Sequence, residues 1–145
     1  MKVLVTGATS GLGRNAVDNL LREGHQVIAT GRSREVGAQL VSQGAEFHPL
    51  DLSLASTADC RMLMTGCDAV WHCAAKSSPW GSKREFWQAN VLATQTLAGA
   101  SVQSGVPRFV HISTPAIYFD FQHHQQLDES YLAQRFACHY ASSKY

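Results

Sequence analysis

No run of this chain stays apolar for the roughly 18 residues that a membrane-spanning helix needs. No signal-peptide pattern precedes the first strand, Lys2-Val3-Leu4-Val5-Thr6. A cytoplasmic protein is therefore the expectation. Charge of one sign is also lacking: 12 Lys and Arg face 11 Asp and Glu, a formal net charge of +1. The overall field gives no argument for nucleic acid or an anionic membrane as partner. Cysteine is scarce and unpatterned. Cys60, Cys67, Cys73 and Cys138 show no Cys-x-x-Cys spacing and read as reduced structural thiols. His123-His124 and Cys138-His139 are adjacent pairs whose side chains diverge, and no second ligand pair stands at zinc-finger spacing, so no metal is expected. Repeats, low-complexity tracts and interdomain linkers are missing too.

What remains is the composition of a folded domain. A hydrophobic fraction of 45% against 16% charged residues over 145 positions excludes disorder and suffices for one core, so residues 1–145 read as a single domain. Short β-branched runs alternate with longer segments of helical period. Strands are expected at 2–6, 26–30, 46–49, 69–73 and 108–113. Helices are expected at 12–23, 34–43, from a Ser53 or Ser56 cap to about Met64, and at 83–104, with Gly24, Gly44, Gly66 and Gly105-Val106-Pro107 as stops. Strands alternating with helices of this length imply an α/β fold, a doubly wound parallel sheet with helices on both faces. Residues 119–136 are polar, aromatic and without period. They read as a long loop at a strand's carboxyl end, either a ligand-binding excursion or a solvated surface one.

Two features carry chemistry. Thr6-Gly7-Ala8-Thr9-Ser10-Gly11-Leu12-Gly13 follows the first strand and opens the first helix. Gly7, Gly11 and Gly13 allow a tight turn, a close backbone approach to a pyrophosphate and close packing of helix on strand. The helix N-terminus then offers free N–H groups to phosphate, with Thr9, Ser10 and Leu12 beside it. The second strand ends Ala29-Thr30-Gly31-Arg32-Ser33-Arg34, without a carboxylate before Glu35. A carboxylate there would bind the ribose hydroxyls of NAD, whereas Arg32 can pair with a 2′-phosphate, aided by Arg34 and less surely by Arg14. NADP(H) is the expected cofactor, with NAD(H) as the alternative and a plainly solvated Arg32 as the bland reading. Asp51, followed by Leu52, closes the third strand, where it meets the adenine edge or caps a helix.

The second feature is Tyr140-Ala141-Ser142-Ser143-Lys144. It sets a phenol and an ammonium one helical turn apart on one face. The ammonium favours phenolate and brings the phenol's proton exchange toward neutral pH, and the same lysine can hold ribose hydroxyls. A surface i,i+4 pair is the bland alternative. The fifth strand runs into Ser113-Thr114, two hydroxyls placed to orient a carbonyl or alcohol, though such residues are common in turns.

Taken with Asp51-Leu52, His72-Cys73-Ala74-Ala75, Asn90-Val91 with Thr94, and Arg108-Phe109-Val110-His111-Ile112-Ser113-Thr114, these motifs occur in an order that resembles the extended short-chain dehydrogenase/reductase superfamily over the whole chain. Ala74-Ala75-Lys76 before Pro79-Trp80-Gly81, and Ser113-Thr114-Pro115, resemble its 3β-hydroxysteroid and sterol dehydrogenase branch, which includes bacterial reductases of 2-alkyl-3-ketoalkanoic acids. The resemblance implies a Rossmann-type fold and hydride transfer between a nicotinamide and a secondary alcohol or ketone. It implies Tyr140 as catalytic acid/base, Lys144 as its electrostatic partner, and Thr114 as the substrate-orienting hydroxyl, with Ser113 the second candidate. Ala74, Ala75 and Lys76 would line the cofactor cleft, and Asn90 would be structural or part of a proton relay.

The glycine spacing Gly-x-x-x-Gly-x-Gly departs from the Gly-x-x-Gly-x-x-Gly usual in extended members and matches shorter ones. Extended members also continue for about as many residues again. The chain therefore reads as the cofactor half, its sheet incomplete at the C-terminal side and its substrate half absent, and little turnover is expected of it alone. Unpaired sheet edges leave a homodimer open. Apolar Pro79-Trp80 and Phe119-Phe121 favour a lipid-like ketone over a nucleotide sugar. An epimerase or dehydratase of nucleotide sugars and a non-catalytic dinucleotide-binding module are the rival readings.

Overall fold

The structure is a computed structural model of the full chain, and it describes residues 1–131 and 133–145. Strands β1 (Lys2–Thr6), β2 (Gln26–Gly31), β3 (Glu46–Pro49), β4 (Ala69–His72) and β5 (Phe109–His111) form one sheet in the order β3-β2-β1-β4-β5. Every pairing is parallel. The order runs outward from β1 in both directions, as in a Rossmann-type doubly wound sheet, so β1 and β4 flank the switch point where a crevice must open.

Side-chain alternation along the strands builds two cores. Val3, Val5, Val27 and Ala29 face one way, against Ala16 and Val17 of α1 (Gly11–Arg22) and Leu40 of α2 (Arg34–Ser42). Leu4, Ile28 and Val70 face the other, against Cys60 and Leu63 of α3 (Thr57–Leu63) and Ala93, Leu97 and Ala100 of α5 (Ala93–Gln103). The period of two along the strands sends neighbours to opposite faces, and helices on both faces bury the central strands β1, β2 and β4, while the edge strands β3 and β5 stay largely exposed.

The expected elements are present, with ends displaced by a residue or two. Ser56, not Ser53, caps α3, in a reciprocal capping box with Asp59. The stretch expected as one helix over 83–104 is three pieces: α4 (Lys83–Phe86), a π-helical segment (Trp87–Leu92) and α5. A 3₁₀ turn (Pro115–Tyr118) follows β5, and α6 (His139–Lys144) closes the chain. In the expected loop 119–136, the described residues hold neither helix nor strand, while residue 132 lies outside them. The loop has its own staple: Tyr131 Oη donates to Asp120 Oδ2 at 2.5 Å, and His124 Nε2 lies 2.9 Å from Asp120 Oδ1.

Candidate active site

A cleft of about 1150 Å³ lies along the carboxyl edge of the sheet, over the switch point. The glycine turn lines it, with Gly7, Thr9, Ser10, Gly11, Leu12 and Gly13. Two of these positions admit no side chain. A Cβ on Gly7 would fall 2.8 Å from Ala74 N, and one on Gly13 would fall 2.3 Å from Gly7 O. The turn is pressed against both the exit of β4 and the first turn of α1. Ser10 occupies the N-cap of α1 without a side-chain cap bond, and no acidic residue stands in the first turn. Its first N–H groups are therefore left for an anion, the arrangement a pyrophosphate requires. The residues present fit a dinucleotide.

Arg32, Asp51 and Leu52 line the same cleft beyond β2 and β3. Asp51 Oδ1 accepts from Ser53 N at 3.0 Å and from Ser53 Oγ at 2.7 Å, so one oxygen of the carboxylate carries both bonds. Arg14 is not among the residues that line this cleft. Its guanidinium is taken by Asp18 at 3.3 Å, Gln39 at 3.5 Å and Gln43 at 3.0 Å, because α1 points it along its own surface toward α2.

Ala74, Ala75 and Lys76 after β4, Ser113 after β5, and Tyr140 and Lys144 of α6 line the same cleft, with Ala74 directly against Gly7. The i,i+4 spacing on α6 thus brings both side chains into one cleft with the glycine turn. Thr114 is placed differently. It caps the 3₁₀ turn, its Oγ1 accepting from Ala116 N at 3.3 Å, and Ser113 is the hydroxyl-bearing residue that lines the cleft. Asn90 stands behind the wall. It is buried in the π-helical segment, accepts from Lys76 N at 2.7 Å, and donates to Lys76 O at 3.0 Å and to Ser143 Oγ at 2.8 Å. One amide therefore ties the segment after β4 to α6.

Two histidines complete the surroundings of Lys144. The lysine is buried, and Nζ lies 3.2 Å from His111 Nε2, a geometry in which the ammonium donates to a neutral imidazole. Burial pushes the Lys144 ammonium below its usual range, and burial followed by the lysine's charge lowers His111. His111 stacks on His72, with ring centroids 5.2 Å apart. His72 is pushed down to about 3 by burial, with His111 and Lys144 adding to the effect. Its tautomer follows from its partners. Thr94 Oγ1 spends its proton on Asn90 O at 2.6 Å and so accepts from His72 Nε2 at 2.8 Å. Thr6 Oγ1 then donates to Nδ1 at 2.7 Å while accepting Ala74 N at 3.2 Å. Burial also raises the Cys73 thiol beside them. The roles of His72 and His111 were not apparent in the sequence, where both belong to apolar strand runs. Only their positions at strand ends, Thr6↔His72 and His72↔His111 in register, mark them.

A family profile described as the NAD dependent epimerase/dehydratase family matches residues 3–145. The chain belongs to that family. Among curated relatives, the Escherichia coli K12 protein named as uncharacterized protein YbjS is 48% identical over 99% of this chain and 43% of its own length. A 4-hydroxy-2-methyl-3-oxo-4-farnesyl-3,4-dihydroquinoline-1-oxide ketoreductase of Stigmatella aurantiaca is 36% identical over 90% of this chain and 39% of its own. A 2-alkyl-3-oxoalkanoate reductase of Stenotrophomonas maltophilia is 33% identical over 99% and 43%. Among solved structures, the UDP-glucose 4-epimerase of Thermus thermophilus in complex with NAD overlays with a TM-score of 0.83 at 28% identity, covering 99% of this chain and 47% of that one. The chain spans less than half the length of these family members.

Proposed function

We propose that this chain forms the cofactor-binding and catalytic part of an NADP(H)-dependent oxidoreductase that interconverts a secondary alcohol and a ketone. The observation that carries the reading is the cleft itself, which is lined both by the glycine turn and by Tyr140 and Lys144 of α6. The nicotinamide supplies or accepts the hydride. Tyr140 Oη exchanges the proton with the substrate oxygen, and the Lys144 ammonium is its electrostatic partner and holds ribose hydroxyls. A hydroxyl from Ser113 or Thr114 orients the substrate oxygen, Ser113 being the one already in the cleft. Gly7, Thr9, Ser10, Gly11, Leu12 and Gly13 hold the pyrophosphate; Asp51 and Leu52 meet the adenine; Ala74, Ala75 and Lys76 wall the nicotinamide end, braced by Asn90.

Arg32 supports NADPH over NADH. It enters the cleft directly after Gly31, and the first carboxylate beyond it, Glu35, lies within α2. The substrate reading is an apolar ketone, in line with the two ketone reductases among the relatives and with Trp80, Phe119 and Phe121, exposed on the segments after β4 and β5. The second reading, transient oxidation of a nucleotide sugar, is favoured by the close overlay on a UDP-glucose 4-epimerase.

The intact protein with Tyr140→Phe tests the assignment. Turnover of a 3-oxoacyl substrate with NADPH should drop about 10²- to 10⁴-fold while NADPH affinity changes far less. Turnover of UDP-glucose but of no ketone by the unaltered protein would favour the second reading. Full activity in Tyr140→Phe would remove Tyr140 from the chemistry.

A further inference from the structure

We propose that His111 is a positioning residue for Lys144, its imidazole accepting one N–H of the ammonium and leaving the others for the cofactor. The inference rests on the oxidoreductase reading and deepens it. A buried ammonium costs free energy unless its N–H groups find acceptors. Lys144 is 7% exposed, and no carboxylate pairs with it among the described residues. Its acceptor there is His111 Nε2, 3.2 Å from Nζ. An ammonium carries three donors, so this contact leaves two on a side chain that lines the cleft. A pair of neighbouring ribose hydroxyls asks for that number.

The imidazole is itself held by a fixed neighbour. His72 is locked between Thr6 at 2.7 Å and Thr94 at 2.8 Å, and it pairs in register with His111 on the next strand. Residues in register project to the same face of the sheet, and the two rings stack with their planes 30° apart. Contacts therefore run from Thr6, which precedes the glycine turn, through His72 and His111 to the helix that carries Tyr140. A phenyl ring would fill the same stack. What the imidazole adds is the acceptor, and accepting at Nε2 places its own proton on Nδ1.

The acceptor exists while the ring is neutral. A proton on Nε2 takes the lone pair and sets two cations 3.2 Å apart, so the lysine is repelled from its place. The surrounding groups leave this step to His111. His72 on β4 stays neutral down to about 3, and burial raises the Cys73 thiol that follows it. The 3₁₀ turn and α6 bring the phenols of Tyr118 and Tyr140. His139 of α6 packs on Phe86, with centroids 6.5 Å apart, and α5 carries no ionisable side chain.

The test uses the intact protein with His111→Phe, which keeps a ring over His72 without an acceptor, and with His111→Gln, which keeps an acceptor that takes no proton. With NADPH and a 3-oxoacyl substrate, kcat/KM is measured from about pH 5 to about pH 8. At the upper end His111→Phe should lose about 10- to 100-fold, and His111→Gln should recover part of the loss. The unaltered enzyme should show an acid limb with its midpoint below 6.5, and His111→Gln should lack it. Equal losses in the two variants make the ring a packing element and overturn the proposal. Full activity in His111→Phe, or an acid limb that survives in His111→Gln, also overturns it. A second readout needs no turnover: followed by NMR, the His111 ring should titrate higher in Lys144→Met than in the unaltered protein. Ketone reduction with an unmoved His111 titration removes the role and leaves the oxidoreductase reading standing. If the unaltered protein reduces no ketone, the reading fails and the role falls with it, whether or not the titration moves.

Discussion

His72 is the residue whose surroundings make the plainest demand on solution conditions. It is fully enclosed, takes one hydrogen bond from Thr6 and gives one to Thr94, and has no room for a second proton. Its folded pKa of about 3 lies below the 6.5 of the exposed side chain. The unfolded chain therefore binds a proton that the folded chain refuses, and stability falls with pH below about 6.5 until the folded group also titrates near 3. Between pH 7 and pH 5 this one residue should cost about 2 kcal/mol, read as a lower urea midpoint. His72→Gln should flatten that pH dependence even if it lowers stability at pH 7; an unaltered slope would show that other groups set it. Gly13 makes a second demand. Gly13→Ala places a methyl against the backbone of Gly7, and the glycine turn cannot keep its shape. NADPH binding should be lost and stability reduced by about 1–3 kcal/mol; retained affinity in a calorimetric titration would contradict the close packing. The glycines were legible in the sequence because only glycine serves there, and Tyr140 with Lys144 because their spacing matches a helical turn. His72 and His111 were not, since a histidine in an apolar strand looks alike whether it packs passively, bridges two threonines as His72 does, or meets a lysine 33 residues away as His111 does.

Among the elements, the π-helical segment Trp87–Leu92 is the one whose form the sequence concealed. Apolar period over 83–104 reads as one helix, and nothing in composition marks the widened turn. Two side chains here bond outside the helix and a third bonds back within it. Asn90 reaches to Lys76 and Ser143, Thr94 bonds back to Asn90 O, and Gln88 Nε2 donates to Ser53 O at 2.8 Å. Such segments recur at functional sites because they re-aim one residue without ending the helix. Asn90→Ala would leave the Lys76 N–H and C=O without their partner and release Ser143. A loss of about 2–4 kcal/mol in denaturant unfolding is expected; a change below about 0.5 kcal/mol would mean that water replaces the clamp. The last strand and the loop after it show the opposite limit. The hydrophobic run over 108–113 was legible, but β5 has a partner strand on one side only and keeps just three residues. The 119–136 loop is set by a Tyr131–Asp120–His124 cluster that no periodicity reports.

At the scale of the molecule, alternation of strand and helix was enough to derive a parallel sheet, and parallel connection rules then fix where the crevice opens. The order β3-β2-β1-β4-β5 places the reversal between β1 and β4, and the glycine turn, Ala74–Lys76 and α6 converge on it from three parts of the chain. That convergence is a property of topology and not of any local motif. Motifs distant in sequence could be ordered in advance, but the wall they share, with Phe86 near both Lys76 and Tyr140, needed the fold. Family membership and the lining of the cleft both support a dinucleotide at this edge, and the proposal gives Arg32 the choice between NADPH and NADH. Calorimetric titration of the chain with NADPH and with NADH addresses that claim directly. Binding of both, with NADPH tighter by about 10- to 100-fold and the difference lost in Arg32→Ala, is the predicted result. Binding of neither, or tighter binding of NADH, would contradict it.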